Sequence, residues 1–256
     1  MELTRAQQSR LLDCMLEMGQ LLLEAGAEIS RVEDTLERMG RAYGAERMDV
    51  FVITSIISMT MGFPGQETMT ETRRIRTGGT DFYRLEKLNA LSRSCCARPL
   101  PPEELRQKLD AVASGRKPFY MVFWGSVLAG GAFALFFGGR WYDALAAAVF
   151  GAVICLLQQY VGRTELNPAA SNLLISALVG LGVGLTTLLL PMLHMDKILI
   201  GDIMLLIPGL AMTNAIRNML TGNTISGAVR LAETLVWAAA LAGGIMASLA
   251  VVSLLR

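Results

Sequence analysis

Charge in this chain is gathered at one end. Of its 23 Lys and Arg residues 17 precede residue 119, and so do 17 of its 22 Asp and Glu; the last 138 residues keep 6 and 5. This division constrains the fold more than any motif does, because the two parts suit different solvents. Overall 53% of residues are hydrophobic and the mean hydropathy is +0.45, and the apolar excess falls on the second part. The pattern excludes a single soluble globule and a disordered chain. A net charge of +1 offers no footprint for nucleic acid. The expected fold class is an α-helical integral membrane protein: a small cytoplasmic α+β domain over residues 1–118, then a five-span helical bundle over 119–256.

A helix needs about 20 mostly apolar residues to cross a hydrocarbon core of roughly 30 Å. Residues 119–138, 143–162, 173–193 and 234–255 meet that length. Residues 196–220 are apolar but contain Asp202, Pro208, Asn214 and Arg217, and are expected to form a fourth, irregular span or a re-entrant segment. Arg116 and Lys117 precede the first span, which orients the set with the N-terminus cytoplasmic. In that orientation Arg163, Arg217 and Arg230 are inside, Arg140 and Lys197 outside, and Arg256 ends outside. The expected result is a multi-pass membrane protein with lipid as a partner. Gly180 and Gly184, Ala239 and Gly243, and Gly244 and Ser248 are each spaced by four. Such pairs let helices approach closely, within one bundle or across a homo-oligomer or heteromer contact.

In the first part, Leu11, Leu12, Met15, Met18, Leu22 and Leu23 recur at helical spacing, predicting an amphipathic helix that ends near Gly26. A second helix is expected over 29–43, with Ser30 and Glu33 as a capping box. Residues 48–61, rich in Val, Ile, Thr and Phe, suit a strand pair or one long strand. Residues 71–77 suit another strand, and 81–94 and 102–114 suit helices, an order of ααββαα. Arg73, Arg74 and Arg76 read as a solvated strand face or an anion contact. Asp81, Glu86 and Asn89 read as a solvated helix face or the lining of a vestibule. The N-terminus is not expected to be a signal peptide, since Glu2, Arg5, Arg10, Asp13 and Glu17 interrupt it.

Enzymatic chemistry has little support. There is no Gly-rich phosphate loop. The one histidine, His194, reads as a lone surface residue and completes no catalytic set. Cys14, Cys95, Cys96 and Cys155 lack metal-ligand spacing and read as reduced thiols. No metal, cofactor or nucleic-acid partner is expected.

The informative stretch is 196–233. Ionisable groups within a membrane are costly unless paired or hydrated, so Asp202, Arg217, Arg230 and Glu233 ask for a reason. Pro208 removes a backbone donor and Gly209 relaxes φ, which predicts a kink or break at the centre of the fourth span. Broken spans line substrate sites in many secondary transporters. Asn214 can donate and accept, Arg217 can clamp a carboxylate, and Arg230 and Glu233 are placed to pair. Asp202 and Glu233 are candidate proton carriers. The competing reading is a structural Pro kink with interfacial charges snorkelling to headgroups.

At these residues the chain resembles the threonine/serine exporters, in the form that joins a cytoplasmic domain to five spans. Two stretches carry the resemblance: Gly19, Leu22 and the run Gly26-Ala27-Glu28-Ile29-Ser30-Arg31-Val32-Glu33, and Pro208-Gly209 with Asn214 to Asn218, Gly222, Gly227 and Arg230. An acidic residue is common in the family where Asn218 stands. The resemblance implies proton-driven export of a small amino acid, with a second small membrane subunit as partner. It marks Gly26, Glu28, Arg31 and Glu33 as motif positions, whose alternative role is a tight helix–turn–helix. Substrate contacts are expected from Pro208, Gly209, Asn214, Arg217 and Arg230. A dicarboxylate exporter using Arg217 and Arg230 is the nearest alternative. A membrane-anchored signalling or scaffold protein is another.

Overall fold

The computed structural model describes residues 4–75, 78–115, 118–162 and 166–255. Arg76, Thr77, Arg116, Lys117, Arg163 and Arg256, which entered the strand and orientation expectations, lie outside these. The chain forms two compact units, Met1–Arg116 with Leu210–Arg230, and Lys117–Gly209 with Leu231–Arg256. The division drawn at residue 118 is thus crossed by residues 210–230, which pack within the first unit.

The first unit opens with α1 (Arg5–Glu24) and α2 (Ile29–Ala42), followed by β1 (Arg47–Ile53), β2 (Ile56–Gly62), β3 (Met69–Arg74), α3 (Phe82–Ala97) and α4 (Pro102–Ser114). The strands make one antiparallel sheet of order β1-β2-β3. The 48–61 stretch is therefore a strand pair, and β3 makes the sheet three-stranded rather than two-stranded. Its alternation sets Val52, Ile57, Met59 and Met61 into the core against Leu11, Leu12, Met15, Met18 and Leu36, as a half-buried sheet requires. On the opposite face hydroxyls pair across strands, Thr60 with Thr70 at 2.8 Å and Thr72 donating to Ser58 at 3.2 Å.

Two local expectations change. The capping box lies at the start of α1, where Thr4 and Gln7 bond reciprocally. At α2 the N-cap is Glu28, with no side-chain cap bond. Glu33 instead accepts the Val52 N–H at 3.0 Å, tying α2 to β1, because an edge-strand donor there lacks a ladder partner. The basic cluster also loses its solvated reading at one member: Arg73 pairs with Asp13, which shares Arg106 at 2.9 Å. Asp81 caps α3 by accepting the Arg84 N–H at 3.0 Å.

Burial raises the affinity of the Glu17 and Glu33 carboxyls for protons above the usual glutamate range. A carboxyl whose folded value is raised binds more protons folded than unfolded, so its contribution to stability falls as pH rises through that window. Glu33→Gln keeps an acceptor for Val52 without the charge. The variant is expected to gain melting temperature relative to wild type as pH rises from about 4 towards about 7. Melting of the detergent-solubilised full chain checks this; a pH-independent difference between the two proteins would contradict it.

The second unit holds α5 (Phe119–Phe136), α6 (Trp141–Val161), α7 (Pro168–Leu189) and α8 (Met195–Leu206) with most of α10 (Thr224–Leu254); α9 (Gly209–Leu220) belongs to the first unit. Among the described residues four helices, α5, α6, α7 and α10, are long and apolar enough to cross a membrane, and α8 with α9 makes a fifth if the broken pair is one span. Small residues bring them together. A Cβ at Gly151 would stand 2.6 Å from the Ser126 carbonyl, and one at Gly201 2.8 Å from that of Gly130. Gly180 abuts Ser248, Gly184 abuts Val252 and Gly244 abuts Ser176, so these positions pack α7 on α10 within this chain. Gly243 faces open space.

The break in the fourth segment is complete. Ile207, ahead of Pro208, is extended (φ −64°, ψ 127°) and ends α8, since proline's Cδ disfavours a helical residue before it. Helix α9 restarts at Gly209.

Candidate functional site

The site grows from the end of α1. Gly26 adopts φ +91°. Its N–H reaches the Leu23 carbonyl at 3.0 Å, while that of Ala27 reaches Leu22 at 2.9 Å. This is a Schellman closure, which needs a left-handed residue at that place. A Cβ on Gly26 would also strike the Gly79 carbonyl at 2.7 Å. Gly79 in turn donates to Glu24 at 3.0 Å and Asp81 to Ala25 at 2.9 Å. The turn is thus held from both sides, and Glu28, extended and free of any capping bond, projects from it.

Helix α9 meets that turn. Leu210, Thr213, Asn214 and Arg217 fall on one stripe at spacings of three and four, and all line a cavity of about 370 Å³ with Gly26, Glu28, Arg31, Thr35 and Asn89. Arg217 Nη1 bonds Glu28 Oε1, closing a separation of 189 residues. The Glu28 side chain is 20% exposed and that of Arg217 54%. A smaller cavity of about 50 Å³ lies beside the first and shares Gly26, Ala27 and Asn214 with it. Thr54, Thr80, Asn218 and Arg230 line it, and the Arg230 guanidinium packs on Gly78.

The two stretches that carried the family resemblance therefore converge. Gly26, Glu28, Arg31, Asn214 and Arg217 share one cavity and Arg230 borders the next. Pro208 and Gly209 line neither; they end α8 and begin α9. Glu33 points to β1. Glu233 is exposed on α10. Asn89, one of the two alternatives for its helix face, lines the cavity, whereas Thr35, Thr54 and Thr213 carried no signal, because a hydroxyl on a polar helix or at a strand end is unremarkable.

Asp202 stands in the second unit on α8. It is 1% exposed, and among the described residues neither carboxyl oxygen has a hydrogen-bond partner. Its Oδ1 faces Gly130. A carboxyl so placed is costly as an anion and far less so as an acid. His194, expected to be a lone surface residue, is instead bonded to Asp143, its ring Nδ1 3.0 Å from Oδ2. The pairing was hidden because the residues are 51 positions apart.

Over residues 13–252 the chain matches the ThrE family model, described as "Putative threonine/serine exporter". It is similar to the threonine/serine exporter of Corynebacterium glutamicum, 23% identical over 238 residues, covering 89% of this chain and 48% of that protein. It is also similar to the "Probable threonine/serine exporter" of Mycobacterium tuberculosis, 24% identical over 94% of this chain and 46% of that protein. The chain spans about half the length of these two relatives. The "Probable succinate transporter subunit YjjP" of Escherichia coli (strain K12) is 22% identical, over 88% of both chains. No solved structure matches the chain. The family match takes in both stretches that meet at Glu28 and Arg217, and the chain belongs to the threonine/serine exporter family.

Proposed function

We propose that this chain forms part of a secondary exporter for threonine, serine or a related small amino acid. The observation that carries the reading is the Glu28–Arg217 pair in the wall of a cavity of about 370 Å³. A zwitterion needs an anion for its ammonium and a cation for its carboxylate, and this pair supplies both. Asn214 and Thr213 add neutral groups suited to a hydroxylated side chain. The volume is within the range of about 300–1,000 Å³ usual for small-molecule sites. Coupling to protons is assigned to Asp202, a buried carboxyl on α8 with no hydrogen-bond partner among the described residues. Glu233 remains a second candidate carrier. We further propose a bacterial inner-membrane location with the N-terminal part cytoplasmic, and a second membrane chain as partner. The partner is suggested by the half-length match to the exporters and by relatives named as subunits.

A dicarboxylate substrate is the second reading. It is favoured by the similarity to a succinate transporter subunit and by Arg31 and Arg217 lining one cavity. Glu28 weighs against it, since a dianion would face its carboxylate. Export of labelled threonine from loaded cells, with and without collapse of the proton gradient, tests the first reading. The expected result is export that slows sharply when the gradient is removed. Export of succinate but not threonine would support the second, and export indifferent to the gradient would remove proton coupling.

A further inference from the structure

Within the amino-acid exporter reading above, on which this rests, we infer that the cavity at Glu28 and Arg217 takes an acidic amino acid, an aspartate-like amino dicarboxylate. Arg31 is the residue that selects its side-chain carboxylate. Helix α2 presents Glu28, Arg31 and Thr35 to the cavity at spacings of three and four, so they share one face. Helix α3 adds Asn89 and helix α9 adds Arg217. Glu28 and Arg217 are bonded to each other. Arg31 is exposed, and among the described residues its guanidinium pairs with no acidic side chain. The acids one turn away on α2 are engaged elsewhere, Glu28 with Arg217 and Asp34 with Arg38 at 2.8 Å.

The ionic groups lining this cavity of about 370 Å³ are therefore Glu28, Arg31 and Arg217, one anion and two cations. Charge matching separates the candidate ligands. Threonine offers its ammonium to Glu28 and its carboxylate to Arg217, and leaves Arg31 uncompensated. Succinate serves both arginines but sets a dianion against Glu28. An amino dicarboxylate carries one ammonium and two carboxylates and meets all three side chains. The spacing permits this. Glu28 and Arg31 are about 4.5 Å apart along the α2 axis at 1.5 Å per residue, a separation that one short carbon chain and a flexible arginine stem can bridge. The planar guanidinium can hold the distal carboxylate through two parallel N–H bonds. Thr35, one turn beyond Arg31, and Asn89 offer an O–H and an N–H to the same group.

Binding of L-aspartate, L-threonine and succinate to the detergent-solubilised full chain tests this, read at about pH 7 from the rise in melting temperature over a concentration series of each compound. Wild type is expected to bind aspartate about fivefold or more tightly than threonine, the order of one solvent-accessible ion pair. Arg31→Gln removes the charge and keeps a polar side chain; it is expected to bring the ratio of the two affinities close to one. Arg31→Lys is expected to keep part of the preference. The ratio compares two ligands on one protein, so a less stable variant does not imitate the effect. Tighter binding of threonine than of aspartate by wild type, or a ratio unchanged in Arg31→Gln, would overturn selection by Arg31 and leave the exporter reading standing. Binding of succinate alone, or of none of the three compounds, would contradict the amino-acid reading and the role of Arg31 with it.

Discussion

Arg217→Ala is expected to lower threonine export by about 10- to 100-fold at equal protein level, since a charge-assisted contact is worth about 1.5–3 kcal/mol. Loss of folding will not explain that result. The Arg217 side chain is 54% exposed, and exposed ion pairs contribute only about 0–1 kcal/mol to stability. Arg217→Lys keeps the charge but loses the planar fork, so it is expected to recover part of the export. Rates measured at matched membrane abundance check both variants. Wild-type export by Arg217→Ala would take this residue out of the substrate path.

Asp202→Asn is expected to have the opposite balance of effects. It replaces a buried carboxyl that has no partner among the described residues with a neutral group of the same shape. Export driven by a proton gradient should fall by about 100-fold, the order seen when a proton-transfer group is removed. Exchange of labelled for unlabelled threonine, which needs no net proton movement, should persist. Melting temperature should stay the same or rise, because no desolvated carboxyl remains. A variant that loses exchange and gradient-driven export equally would assign Asp202 to substrate binding or folding instead.

These expectations depend on features with very different visibility in the sequence. The spans were legible because their signal is local: apolar runs set α5 and α6 to within a few residues. Helix α7 begins at Pro168, with Asn167 as its cap, five residues before its charge-free run was expected to begin as a span. Helix α10 begins at Thr224 because Arg230 and Glu233 end an apolar window without ending a helix. The break at Pro208 was legible from one residue's covalent geometry. Between β1 and β2 the turn is Thr54-Ser55, flanked by paired Ile53 and Ile56. It contains neither Gly nor Asn, the usual marks of a two-residue hairpin, so one strand and two looked alike.

The site was legible only as two separate stretches. Nothing local indicates that Glu28 meets Arg217 across 189 residues. Glu28 sits where a capping residue is expected, and Ser30 with Glu33 imitates a capping box two positions later. Arg217 lies in an apolar segment that reads as a membrane half-span, yet it packs with the charged N-terminal part in one unit. The resemblance to exporters marked both stretches without pairing them; the pair comes from the tertiary fold.

Zwitterion recognition by that pair is tested most directly in Glu28→Gln, by measuring the half-saturating threonine concentration for export alongside inhibition by succinate. If Glu28 holds the ammonium group, the threonine value should rise about tenfold, the loss of roughly 1.4 kcal/mol, while succinate inhibits at least as well as in wild type. A threonine value unchanged from wild type, or an equal loss for both compounds, would contradict it.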